Sequence, residues 1–474
     1  MGRLPEVGEG LDGYRITGKL HSGGMGVLLT VEPAEELGFP LVMKIPRLGY
    51  GEPAEAVVSY EVEQLVLSVL KGPHVPRFVA AGDLAATPYI VMELVEGECL
   101  KERVERIPLP PEEVADVGAA VATALRAIHQ QEVVHLDVKP SNIILRPTGE
   151  AVFVDFGLAH HAHYPDLLAE ESRAPMGSAP YISPEQVLGV RSDPRSDLFA
   201  LGAMLYELAT GKLPFGSPTG PSGLRKRLYT EPVPPRAIRK EIPEWLQEII
   251  LHLLEPDANQ RYATAAQVAF DLTHADQVVV TERGQRLERA GLGTRFRRWF
   301  KAKGMEPAAV VRPSAQLANA RIVLAAVATA HTNEALFQAQ RDAVRRLLAA
   351  DPGSRLACVT VVKPASVAGA ETEDDVATTQ AIKNLVHLRH WAEPLQLDPA
   401  TVSFHALEGS DPAATVLAYA RANAVDQIVI GAPPPDLPLR ALMGTFATKI
   451  AAEAPCTVTL VRPPAPGRDH GTVG

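Results

Sequence analysis

Residues Val133–Leu145, VVHLDVKPSNIIL, set His135, Asp137, Lys139 and Asn142 between two apolar runs and read as the centre of an active site. Shortly beyond them, VFVDFGLA carries an apolar run into Asp155, Phe156 and Gly157. A chain with such a centre must fold around it.

These residue types suit phosphoryl transfer. That chemistry asks for a cover over the phosphates, a cation on them, oxygen ligands for Mg²⁺, and a base for the attacking hydroxyl. The cover is LHSGGMGVLL, where Gly23, Gly24 and Gly26 let backbone N–H groups approach phosphate oxygens. Taken alone, such a turn is a plain hairpin. Val27 then begins the next strand and is expected over the adenine. The cation is Lys44 in LVMKIP, costly to bury without anions unless it snorkels from an edge strand. Its expected partner is Glu63 of SYEVEQLVLSVL, with Glu61 as the alternative, since the two cannot both face inward. Asp137 can take the hydroxyl proton, and Lys139 can neutralise the moving phosphate. Asn142 and Asp155 can hold Mg²⁺.

The rest of the chain limits the alternatives. Its 474 residues allow two or three domains, and 46% hydrophobic with 22% charged residues is ordinary globular composition. A net charge of -10 gives no hint of nucleic-acid binding. Cys99, Cys358 and Cys456 fit neither a disulfide framework nor zinc spacing, so they are expected as small buried hydrophobes in a reducing, cytoplasmic compartment. MGRLPEVGEG is no signal peptide, and Ile322–Ala330 is about half of the ~20 residues that a membrane helix needs. The reading is therefore a soluble chain with no transmembrane segment.

Gly23–Gly26, Lys44, Glu63, HLDVKPSN, DFG and YISPE together resemble the eukaryotic-type Ser/Thr protein kinases, specifically their bacterial members, over residues of about 12–275. The resemblance implies an α+β bilobal fold with ATP between a small β-rich lobe and a larger helical lobe. It implies Met92 as gatekeeper and backbone bonds to adenine from Glu93 and Val95, with Val42 and Ile144 also contacting the nucleotide. Lys139, two residues after Asp137, matches the Ser/Thr rather than the Tyr type. Glu185 is implied to pair with Arg261, Asp197 to brace the catalytic loop, and Leu67, Phe78, Phe156 and His135 to stack.

Leu136, His21 and Val42 depart from the family pattern. Leu136 replaces the Arg that pairs with a phosphorylated loop residue, and Leu cannot pair with phosphate. The stretch from Asp155 to Glu185 has no Thr, and Ser172 is its one free-standing Ser. Both features predict a loop that needs no phosphorylation at the usual place. His21 stands at the first Gly of the turn, and Val42 where a smaller Ala usually lies. His160, His161 and His163 read as a solvated loop rather than a metal site, since no carboxylate or Cys spacing supports one.

Residues 276–318 read as a basic linker, between an N-terminal tail, 1–11, with the kinase-like stretch on one side, and 319–464 with a C-terminal tail, 465–474, on the other. Phe296, Trp299 and Phe300 lie among its basic residues. The linker reading has its aromatics packing on a domain. The alternative is a weak membrane-surface contact by residues 293–304.

Within 319–464, ARIVLAAV, RLACVTVV, TVSFHAL, DQIVIGA and CTVTLVR alternate with Ala-rich segments. That order predicts an α/β domain with a five-stranded parallel sheet, Rossmann-like. It resembles the universal stress proteins. Gly431, Gly444 and Thr445 match that family's phosphate-binding pattern, while Pro434 stands for its second Gly and Val327 for its Asp. Pro434 lacks an N–H and Val327 an acceptor.

The expectation is an ATP- and Mg²⁺-dependent signalling kinase acting on protein Ser and Thr hydroxyls, with a C-terminal domain that regulates it or pairs two chains as a homodimer. The rival is a scaffold that does not transfer phosphate, whose C-terminal domain senses a nucleotide or other small ligand.

Overall fold

The computed structural model describes residues 4–23, 26–46, 54–82, 87–164, 166–171, 175–288, 321–328, 333–350, 354–362, 373–397, 401–423, 425–432 and 446–462. Gly24, Ser172, residues 293–304, Pro434, Gly444 and Thr445 lie outside them. The described residues fall into two compact units, one of 4–275 and 280–288, the other of 276–279 and 321–462.

The first unit begins with a six-stranded antiparallel sheet. Its strands are β1 (Gly10–Leu11), β2 (Tyr14–Gly23), β3 (Gly26–Pro33), β4 (Leu41–Pro46), β5 (Phe78–Ala81) and β6 (Ile90–Glu93), in the order β1-β2-β3-β4-β6-β5. Gly23 pairs with Gly26 at the β2–β3 turn. Gly26 has φ +147°, and a Cβ there would lie 2.4 Å from the Ile45 carbonyl oxygen, so only glycine fits. The β-branched and Leu-rich alternation of β3 and β4 puts Val27, Leu29, Val31, Leu41, Met43 and Ile45 into one core. Helix α1 (Ala54–Val69) carries Glu63.

A hairpin sheet joins β7 (Glu98–Cys99), β9 (Ile143–Leu145) and β10 (Ala151–Phe153), and β8 (Val133–Val134) pairs with β11 (His160–His161). Helices α2 (Leu100–Val104), α3 (Pro111–His129), α4 (Leu167–Glu171), α5 (Pro184–Val187), α6 (Arg195–Thr210), α7 (Pro221–Arg225), α8 (Pro235–Ile238), α9 (Glu244–Leu253), α10 (Ala265–Thr273) and α11 (Glu282–Gln285) complete the lobe. Every residue of α6 is buried, so it is the lobe's central helix, and it stops at Gly211 in the left-handed region.

The second unit has a parallel sheet of β12 (Ile322–Ala326), β13 (Arg355–Val362), β14 (Val402–Glu408), β15 (Gln427–Gly431) and β16 (Thr457–Val461), ordered β14-β13-β12-β15-β16. Helices Glu334–Ala350, Glu373–Ala392, Pro412–Ala422 and Phe446–Glu453 connect its strands. Gln277 Nε2 donates to the Phe404 carbonyl at 2.9 Å and its Oε1 accepts from the Phe404 N–H at 3.2 Å, so one side chain occupies part of the β14 edge.

The expected linker is thus divided in its described part. Residues 276–279 belong to the sheet unit, whereas 280–288 return to α9. There Gln247 Nε2 donates to the carbonyls of Arg283, Gly284 and Arg286, and Glu248 accepts from Thr281, Arg283 and Gly284. Composition alone hides this, because the anchoring groups sit on α9 and not in the basic stretch. Of the cysteines, Cys358 is buried in β13, where burial pushes its thiol pKa up, while Cys99 and Cys456 are only half-buried.

Candidate active site

The charged centre forms where three elements converge. Lys44 on β4 donates to Glu63 of α1 at 2.7 and 2.6 Å and to Asp155 Oδ1 at 3.0 Å. Glu63, not Glu61, takes the inward position and is 2% exposed. Burial alone would discharge Lys44, but the Glu63 and Asp155 carboxylates override it and raise its pKa above the usual value. Burial raises the Glu63 pKa, whereas Lys44 outweighs burial at Asp155 and lowers it. Asp155 is therefore held as an anion beside a fixed cation.

Across the cleft, Asp137 is oriented from several sides. Lys139 Nζ donates to Oδ2 at 2.6 Å, and Asn142 Nδ2 donates to Oδ2 at 3.1 Å and to the Asp137 carbonyl at 3.0 Å. The Ser178 N–H and hydroxyl donate to Oδ1 at 3.0 and 2.7 Å. Ser178 was not among the residues expected from the sequence. Its signal was its place in GSAPYISPE, just ahead of the recognised YISPE.

The loop itself is held by Asp197 of α6, which is fully buried. Asp197 accepts from the His135 N–H at 2.9 Å, the Leu136 N–H at 2.8 Å and His129 Nε2 at 2.8 Å. His135 lies 4.9 Å from Phe153 and 5.0 Å from Phe156, ring to ring, and burial holds its pKa low. Leu67, Phe156 and His135 are buried, and Phe78 is half-buried. Arg261 meets Glu185 through two parallel bonds of 2.7 and 2.8 Å.

Between these groups lies a cleft of about 360 Å³, lined by Gly23, Gly26, Leu28, Lys44, Glu63, Met92, Lys139, Ser141, Asn142, Val154 and Asp155, and by His21. Of the expected nucleotide contacts, Gly23, Gly26, Lys44 and Met92 line it. Val42 shares the strand face of Lys44, two residues away, and pairs with Met92. Glu93 at the end of β6 and Val95 just beyond it are buried, and Ile144 on β9 is half-buried. The Glu93 N–H donates to the Arg77 carbonyl and its carboxylate accepts from Arg146. Val27 requires a correction. It packs into the sheet core, and Leu28 lines the cleft, because adjacent strand residues face opposite sides. His21 takes its place in β2 without a positive φ, and its imidazole folds against Gly23.

The cleft fits a nucleotide and a hard cation. Asn142 spends its amide nitrogen on Asp137, which turns its oxygen elsewhere, and Asp155 is anionic. These are hard oxygen donors of the kind a magnesium-type ion takes beside waters and phosphate oxygens.

A bilobal fold with a lysine–glutamate pair, a buried aspartate held from several sides and a glycine turn beside one cleft is the arrangement of a phosphotransferase-type site. The chain belongs to the protein kinase family: the protein kinase domain model matches residues 19–272. The universal stress protein family model matches residues 319–462, which accounts for the second unit. Similar proteins include a probable serine/threonine-protein kinase of Clostridium perfringens, 33% identical over 55% of this chain and 38% of that one. PrkC of Bacillus subtilis is 31% identical over 57% of this chain and 41% of its own. PknB of Mycobacterium leprae is 30% identical over 55% and 42%. The chain thus matches less than half the length of these relatives. Among the described residues no helix is long and apolar enough to cross a membrane.

In the second unit, Val327 is buried in the core and its N–H donates to the Val359 carbonyl, so it offers no side-chain acceptor. Gly431 ends β15, where a Cβ would lie 2.8 Å from Leu336. Close helix packing is therefore reason enough for this glycine.

Proposed function

We propose that this chain is an ATP-dependent serine/threonine protein kinase, acting in the cytoplasm on protein hydroxyls. The carrying observation is Asp137, held by Lys139, Asn142 and Ser178 across one cleft from Lys44, Glu63 and Asp155. Lys44 anchors the α- and β-phosphates, and Glu63 fixes Lys44. Asp137 accepts the proton of a substrate Ser or Thr hydroxyl whose oxygen attacks the γ-phosphorus, the bond from that phosphorus to the β,γ-bridging oxygen breaks and ADP leaves, and Lys139 offsets charge on the moving phosphoryl group. Asn142 and Asp155 would hold Mg²⁺, which supplies charge neutralisation on the phosphates. Met92 borders the adenine, and Glu93 and Val95 offer it backbone groups. The relatives' names support the Ser/Thr class. The universal-stress-type unit would act as a regulatory or dimerising module.

The test is phosphate transfer from labelled ATP with Mg²⁺ to a generic basic protein and to the chain itself. Asp137→Ala is expected to abolish labelling. Equal labelling by parent and variant would remove Asp137 from the mechanism. A parent that binds ATP but never labels would favour a non-transferring scaffold.

A further inference from the structure

We propose that Arg191 is a positioning residue for phosphoryl transfer, holding the segment after Asp155 in place through Asp166 and thereby supporting α1 and Glu63. The inference rests on the kinase reading above and names the group that orders this segment without a phosphate.

Leu136 provides no charge, since its side chain is 3% exposed and aliphatic. Only its backbone is engaged: the N–H reaches Asp197, and the carbonyl accepts from Gln186 Nε2 at 2.9 Å. Arg191, which follows α5 in the chain, supplies a cation instead. Its Nε donates to both Asp166 oxygens, at 3.0 and 2.9 Å, and its Nη2 donates to the Leu158 carbonyl at 3.0 Å. The Arg191 side chain is 9% exposed and that of Asp166 is 24% exposed. A planar fork with donors in fixed directions ties two points of the segment at once, in a geometry that the rotatable ammonium of a lysine does not set.

Each tied point leads to the catalytic groups. Leu158 follows Asp155-Phe156-Gly157 directly. Asp166 also accepts the Ala169 N–H at 3.2 Å, at the start of α4. Helix α4 packs on α1 with Leu168 fully buried, and α1 carries Glu63. Between them, β11 pairs with β8, and β8 runs straight into His135–Asp137. One ion pair therefore lies behind both the Lys44–Glu63 contact and the catalytic loop. Packed elements of this kind carry coupling when they move as units. Neither partner is a phosphate, so the arrangement needs no kinase upstream.

The experiment uses the full chain carrying Arg191→Ala, Arg191→Lys, Asp166→Asn, or the exchange Asp166→Arg with Arg191→Asp. Asp166→Asn is isosteric and covers the case in which larger changes fail to fold. Transfer kcat is expected to fall about ten- to hundredfold in the single variants, with ATP KM changed about threefold at most. The exchanged pair is expected to recover at least part of that loss, as residues in direct contact couple. Amide exchange of residues 158–164 should quicken in the single variants and slow again in the exchanged pair. Folded Arg191→Ala protein with parental kcat and exchange would overturn the proposal, as would loss that the exchanged pair does not repair. Phosphatase treatment of the parent should leave its rate unchanged, and a loss would return the ordering role to a phosphate. If the parent itself transfers no phosphate, the kinase reading fails. The exchange measurements then still judge the clamp.

Discussion

Leu136 and Asp155 both sit in the left-handed backbone region, with φ of +62° and +69°. Non-glycine residues enter it at a cost, and the cost is offset here by bonds that fix direction. At Leu136 the N–H faces Asp197 and the carbonyl faces Gln186, which turns the next residue, Asp137, toward Lys139, Asn142 and Ser178. The same sensitivity to direction separates Val27 from Leu28. Val27 is 3% exposed within the sheet core, and Leu28 lines the cleft. Val27→Ala should destabilise the protein by about 1.5–3 kcal/mol, the value of one buried side chain of that size, with ATP KM unchanged. Leu28→Ala should raise ATP KM and leave the denaturation midpoint near the parent's. Steady-state kinetics beside urea unfolding would separate the two, and reversed effects would put Val27 back over the adenine.

Among elements, the junction of α5 with the helices behind it depends on one buried pair. Ser183 caps α5 with a reciprocal bond to Gln186, and Glu185, next in line, meets Arg261 and the Ser196 hydroxyl. Arg261 is inaccessible to solvent along its side chain, so removing it strands a carboxylate. Arg261→Ala is expected to cost about 3–5 kcal/mol, measured by urea unfolding. Replacing both Glu185 and Arg261 with apolar residues should cost less than that single change. This pair was legible in the sequence because YISPE and NQRYATAAQV are recognisable wherever they occur. So were Lys44 with Glu63, and the alternation of strand and helix in the second unit, since period and order survive in one dimension. Other features were not legible. A strand's faces swap with a shift of one residue, which hid Leu28 behind Val27. Arg191 and Asp166 lie 25 residues apart in segments with no motif, and only folding brings them together. Residues 280–288 looked like a connector because their partners, Gln247 and Glu248, belong to another helix.

For the whole molecule, the decisive fact is that each unit buries a core of its own. Leu198, Phe199, Leu201, Met204 and Leu205 of α6 are buried in the first, and Leu356, Cys358, Val359, Val429 and Trp391 in the second. The cleft lined by Lys44, Asn142 and Asp155 draws only on the first. In the second, Val327 brings no acceptor to the end of β12. A ligand stabilises what it binds in the folded state, by about 2.7 kcal/mol at a hundred times its dissociation constant. A non-hydrolysable ATP analogue with Mg²⁺ should therefore raise the temperature at which residues 198–205 of the full chain lose amide protection. Residues 356–359 should lose theirs at an unchanged temperature. Pulsed hydrogen exchange along a temperature ramp follows both in one sample. A shift confined to 198–205 is the expected result and leaves the stress-type unit to act without ATP. A shift at 356–359 that persists in Lys44→Ala protein, whose cleft has lost its phosphate anchor, would place a second nucleotide site in that unit despite Val327.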